Sequence, residues 1–131
     1  MMALTTPAPV ITAPDLEAWV WAQLRDLPGI TSFTYAVTHV WPGWVLAYSI
    51  QVDARAKRKQ AARDTAETAR QRMNALPSIP WPDGVVCYAQ TTDGPAWLPD
   101  PDGLPRYTAR YEIRAHPTRQ QGGITRTGGT A

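Results

Sequence analysis

A chain of 131 residues that is 44% apolar and 18% charged carries enough hydrophobic material for one domain and too little for two with separate cores. Its single cysteine, Cys87, closes no disulfide within the chain, which removes the small secreted disulfide scaffold, and no run approaches the ~20 apolar residues that cross a bilayer, so a soluble protein assembled in the cytosol with no membrane partner is expected. The net charge of +2 is far below that of a dedicated nucleic-acid binder, but it is unevenly placed: from Asp53 to Arg72 seven cations oppose three acids, whereas from Asp83 to Asp102 four aspartates meet no Lys or Arg.

Residues 1–14 are Thr, Ala and Pro without a period and read as an extended arm. Asp15 opens a helix on which Leu16, Val20, Leu24 and Leu27 share one stripe, with Trp19 flanking it and Trp21 off it; Pro28-Gly29 ends it. From Phe33 the period becomes two, with Phe33, Tyr35, Val37 and His39 on one side. Trp41-Pro42-Gly43-Trp44 suits a type II turn, after which Trp44, Leu46, Tyr48, Ile50 and Val52 alternate, so the pair reads as a long antiparallel hairpin with two tryptophans at its tip. Residues 54–76 lack Gly and Pro and are rich in Ala, Arg, Gln and Glu, which predicts a helix burying the narrow stripe Ala62, Ala66, Ala69, Met73 and Leu76. Pro77, Pro80 and Pro82 stop it. Residues 85–90 form a third strand, a Pro/Gly/Asp loop follows, and Tyr107, Ala109, Tyr111, Ile113 and Ala115 alternate as a fourth strand closed by Pro117. Residues 117–131, with GGITRTGG, read as a flexible tail. The expected fold class is α+β: two antiparallel hairpins forming one sheet packed with two helices in the order α-β-β-α-β-β, a single domain over 15–116.

The residues offer little for catalysis. His39 lies in a strand alternation, His116 at a strand end, and with Cys87 they match no zinc spacing. Cys87 within Val-Val-Cys-Tyr-Ala reads as a small core residue rather than a nucleophile. Asp100 and Asp102 sit among Pro and Gly, the vocabulary of turns, ahead of any cation site. The glycines near Gly122 and Gly128 have neither the preceding strand nor the GK[ST] ending of a phosphate loop. No catalytic residue, cofactor or metal is therefore expected. The basic helix 55–72 has two readings. One is a solvated face, with Arg63–Glu67 and Glu67–Arg70 spaced for intrahelical pairs; the other is a nucleic-acid surface, against which no Trp or Tyr interleaves with the run to stack bases. Six tryptophans are hard to bury together, so some of Trp21, Trp41, Trp44, Trp81 and Trp97 are candidates for a surface covered by another chain, with a Trp-rich core as the alternative.

The order helix, hairpin, long Ala/Arg helix, hairpin, with Gly94-Pro95-Ala96-Trp97-Leu98-Pro99-Asp100-Pro101-Asp102-Gly103-Leu104-Pro105-Arg106-Tyr107 feeding the last strand, resembles the tail terminator proteins of long-tailed (siphovirus-type) bacteriophages of actinobacteria over residues 15–116. The resemblance implies a virion structural protein, a homohexameric ring on the head-proximal end of the tail. Such a ring stops polymerisation of the major tail tube protein and joins the tail to the neck or head-completion connector. Genomic DNA passes through its lumen without sequence-specific binding, and the family carries no catalytic residues. A neck or head-completion ring protein is the near alternative; a small nucleic-acid-binding accessory protein using helix 55–72 is the alternative of another class. A ring needs two unlike patches, and here a basic helix is separate from an acidic loop. The expected interface residues are accordingly Arg58, Lys59 and Arg63 on one side, Asp93, Asp100 and Asp102 on the other, and Trp41, Trp44 and Trp97 as apolar anchors.

Overall fold

The computed structural model describes residues 16–40 and 45–117. The period-two sequence becomes two antiparallel strands, β1 (Ile30–Val40) and β2 (Val45–Arg55); the turn expected at Trp41–Trp44, the arm 1–14 and the tail beyond Pro117 lie outside the described residues. Helix α1 (Leu16–Leu24) precedes them, and α2 (Lys59–Asn74) follows, extended by a 3₁₀ turn at Leu76–Ser78. The chain then forms β3 (Gly84–Trp97) and β4 (Arg106–Pro117). The four strands make one antiparallel sheet in the order β1-β2-β4-β3, so the two hairpins join through their second strands.

Both helices cover the same face of this sheet. Leu16, Val20 and Leu24 of α1 and Ala66, Ala69 and Met73 of α2 share one cluster with Leu46, Tyr48, Ile50, Val52, Ala109, Tyr111, Ile113 and Ala115 from the central strands. The alanine stripe lets α2 sit close to the sheet, with Ala62, Ala66 and Ala69 all buried. Of the tryptophans, Trp81 is core, its ring 6.3 Å from that of half-buried Trp19, whose indole N–H donates to the Pro80 carbonyl at 3.1 Å. Trp21 and Trp97 are on the surface.

The first helix ends at Leu24, short of Leu27, and β1 begins at Ile30, ahead of Phe33; three further boundaries depart from expectation for a reason in the sheet. The second helix begins at Lys59 rather than residue 54, because Ala54 and Arg55 are held in β2 opposite Tyr107 and Arg106 and Ala54 is buried. The third strand runs to Trp97 instead of ending at residue 90. As an edge strand it tolerates irregular register at three places, including the segment around Gly94 and Pro95. Pro117 closes β4 as part of it, rather than starting the tail. Cys87 departs most: it is exposed, since the alternation that buries its neighbour Val86 opposite Ala115 leaves Cys87 off the core face, and its thiol donates to the Arg114 carbonyl.

Tyr111 is buried at the centre of β4, and its hydroxyl has no hydrogen-bond partner among the described residues. Burial pushes its ionisation above the usual tyrosine value of 10.0. The unfolded chain gives up this proton near pH 10 while the folded chain keeps it, so stability is intact below pH 10 and declines as pH rises past it. Tyr111→Phe is expected to change stability at pH 7 by no more than about 1 kcal/mol, in either direction, and to flatten the alkaline decline. Urea denaturation at pH 7 and at pH 10.5 (, about half a unit above the tyrosine value) measures both.

Candidate functional site

The period of two that buries Val52 and Ala54 sends Gln51, Asp53 and Arg55 to the opposite, helix-free face, where β4 presents Arg106 and Thr108. Asp53 is only 5% exposed. Its carboxylate lies 3.6 Å from the Arg55 guanidinium and 3.8 Å from that of Arg106, and accepts from the Gln51 amide at 3.2 Å. The loop between β3 and β4 folds back to complete the cluster. Asp100 accepts from Arg55 Nε at 2.8 Å, and its other oxygen is 3.2 Å from Arg106 Nε. Arg55 also donates to the Thr31 hydroxyl at 3.0 Å, which ties in β1.

The segment that carries the family resemblance is therefore a structural clasp. Leu98 N–H donates to the Arg106 carbonyl at 2.9 Å, while Arg106 Nε donates to the Leu98 carbonyl at 2.8 Å. Asp100 N–H donates to Leu104 and Gly103 N–H to Asp100, with Gly103 at φ +88° making the turn and Asp102 accepting from Leu104 N–H at 3.0 Å. Trp97 meets Tyr107 edge to face at 5.5 Å, and Lys59 Nζ stands 4.5 Å above the Trp97 ring. Two residues expected at a subunit contact, Lys59 and Trp97, are thus in contact within one chain. Asp100, expected to face a neighbour's cations, has both its oxygens engaged in its own chain. Asp93 is exposed on β3, and Trp41 and Trp44 lie outside the described residues.

The seven cations of residues 53–72 divide in the same way. Arg55 is held by Asp100, Arg70 by Glu67 and Arg72 by Asp26 at 2.6 Å with a further bond to the Gln23 carbonyl. The hydrogen bond from Arg70 holds the Glu67 carboxyl below the usual range, and that from Arg72 does the same for Asp26. The expected Glu67–Arg70 pair forms; Arg63 acts on Glu67 only through its field. Lys57, Arg58, Lys59 and Arg63 remain exposed, with no carboxylate within ion-pair distance among the described residues.

Sequence reasoning missed the Asp53–Arg55–Arg106–Asp100 cluster by placing Ala54 and Arg55 in the helix. The signal was the unbroken alternation from Val52 to Arg55. It also left unassigned the helix-free sheet face, where Phe33 and Tyr35 sit 44% and 48% exposed. Their rings are 6.4 Å apart, Arg110 lies 5.5 Å from the Tyr35 ring centre, and Arg114 stands over Tyr88 at 4.7 Å. At the other edge, Val85 is 55% exposed beside a shallow groove of about 360 Å³ lined by Pro77, Ile79, Pro80, Trp81 and Val86. Among the described residues no three His, Cys, Asp or Glu are grouped to hold a metal ion, and no helix is long and apolar enough to cross a membrane. The chain matches no protein-family model, and a search of the curated proteins returns no match.

Proposed function

We propose that this chain is a ring-forming virion structural protein, a tail terminator that closes the head-proximal end of a phage tail tube and joins it to the neck connector. The observation that carries the reading is the pair of unlike apolar patches at opposite edges of one sheet. Phe33 and Tyr35 are exposed along β1, and Val85 with its proline-tryptophan groove is exposed along β3. Two different patches on opposite edges make a head-to-tail contact, the kind that closes into rings, rather than the self-complementary contact of a two-fold dimer. The backbone edge of β1 is blunted: Glu17 accepts from the Thr34 N–H, and the ladder shifts register between Thr34 and Ala36. Side chains rather than a continued sheet supply the contact in this reading.

The test is native mass spectrometry of the full chain. Rings are expected, and Phe33→Glu/Tyr35→Glu or Val85→Glu is expected to raise the dissociation constant by about tenfold or more, the weight of one or two exposed aromatic anchors. An equimolar mixture of the two variants retains one intact contact and should give heterodimers but no rings. Wild-type rings should also shorten tubes when added to polymerising tube protein. A wild type that stays monomeric at all concentrations and leaves tube length unchanged overturns the proposal.

A further inference from the structure

We infer that Lys57, Arg58, Lys59 and Arg63 form a surface for the phosphate backbone of duplex DNA. This assignment is independent of the ring reading, because the four cations lie near the Trp97 end of β3 and the apolar groove lies at its Val85 end.

Of seven cations in residues 53–72, three are neutralised by carboxylates of their own chain and four are not. Arg58 and Lys59 lie where they oppose the helix: α2 has no acidic residue in its first turn, and Arg58 at its N-cap makes no side-chain capping bond. Positive side chains at a helix N-terminus are unfavourable in isolation, and among the described residues no carboxylate offsets their placement, the Trp97 ring beside Lys59 being the one favourable contact. A polyanion does. Another copy of this chain offers less, because Asp100 of the acidic loop is already held by Arg55 and Arg106, which leaves Asp93 and Asp102 as its exposed carboxylates.

Geometry selects the backbone over the bases. Lys59 and Arg63 are one turn apart, ~6 Å along the helix, so the two can meet neighbouring phosphates of one strand, whose charges recur every ~3.4 Å of duplex axis. Trp97, brought from the far end of the sheet, is the aromatic that the basic run lacks in sequence. One side of its ring is occupied by Lys59 and its flank by Tyr107, so it steadies the ammonium rather than offering a face for an unpaired base. Duplex phosphates, not stacked single-stranded bases, fit that arrangement.

The test is fluorescence anisotropy with the full chain and a labelled mixed-sequence 20-base-pair duplex between 50 and 200 mM salt. Four phosphate contacts give a slope of log K against log salt of about −3.6, a loss of about 150-fold across that range. Arg58→Glu/Lys59→Glu/Arg63→Glu is expected to weaken binding at least tenfold and to flatten the slope. These exchanges favour the helix N-terminus, and circular dichroism checks that α2 is retained. Arg25→Glu, a charge reversal of an exposed residue next to α1, should leave affinity within threefold. No binding at 50 mM salt, an unchanged slope in the triple variant, or equal weakening by Arg25→Glu overturns the assignment. So does tighter binding of a 20-nucleotide oligo-dT, or competition by polyglutamate as effective per charge as DNA.

Discussion

Alanine at position 29 is expected to destabilise the fold by about 3 kcal/mol, from left-handed strain of ~1–2 kcal/mol and the loss of a backbone hydrogen bond worth ~1 kcal/mol. Gly29 has φ +68°, and a Cβ there would stand 1.9 Å from the Arg55 carbonyl oxygen. That neighbour is backbone and cannot swing aside, because Arg55 N–H donates to the Gly29 carbonyl at 2.9 Å and so fixes the two chains against each other. Relief requires opening the first pair of the β1–β2 ladder, where Ile30 faces Ala54 and both are buried. Gly103→Ala is the matched control: φ is +88°, yet nothing lies within 4 Å of an added Cβ. It should show the conformational cost alone, about 1–2 kcal/mol. Urea denaturation of both variants reads the difference, and equal losses would show that the close approach to Arg55 is relaxed at no cost.

Asp100→Ala should be comparably damaging, at about 2–4 kcal/mol, somewhat less than removing one partner of a fully buried ion pair because the arginines are partly exposed. The substitution deletes the two shortest ion contacts of the cluster, at 2.8 and 3.2 Å. It leaves Arg55 and Arg106, which face each other in the ladder, sharing Asp53 at 3.6 and 3.8 Å. Asp102→Ala loses only the bond from the Leu104 N–H and should cost about 1 kcal/mol. Hydrogen exchange adds a local readout: the Leu98 and Asp100 amides, bonded to Arg106 and Leu104, should lose protection in Asp100→Ala before the centre of the sheet does. If instead the variant monomer keeps its stability and loses ring formation, Asp100 acts between subunits and the clasp interpretation fails.

Much of the molecule was legible without coordinates because burial imposes a period. The stripe Ala62, Ala66, Ala69 and Met73 at helical spacing and Tyr111, Ile113 and Ala115 at strand spacing are all buried, as their repeats require. The α-β-β-α-β-β order follows from those repeats and from Pro and Gly between them. Local propensity misled where a long-range pairing overrode it. Ala54 and Arg55 belong by composition to the helix, but the ladder to Tyr107 and Arg106 keeps them in β2. The same pairing built the ion cluster, whose links from Arg55 to Asp100 and from Arg106 to Asp53 join residues 45 or more positions apart and lie outside any local window.

Chain length, the apolar period and the turn residues were sufficient to determine one α+β domain and the faces that β2 and β4 bury, since both depend on neighbours within a few positions. Beyond the Glu67–Arg70 pair that helical spacing already offers, which charges are spent and which remain was decided only by the tertiary structure. Folding brings Asp26 to Arg72, Asp100 to Arg55 and Trp97 to Lys59. An ion pair forms only where two side chains arrive within a few ångströms of each other, and that distance is set by the strand order and the return of the β3–β4 loop.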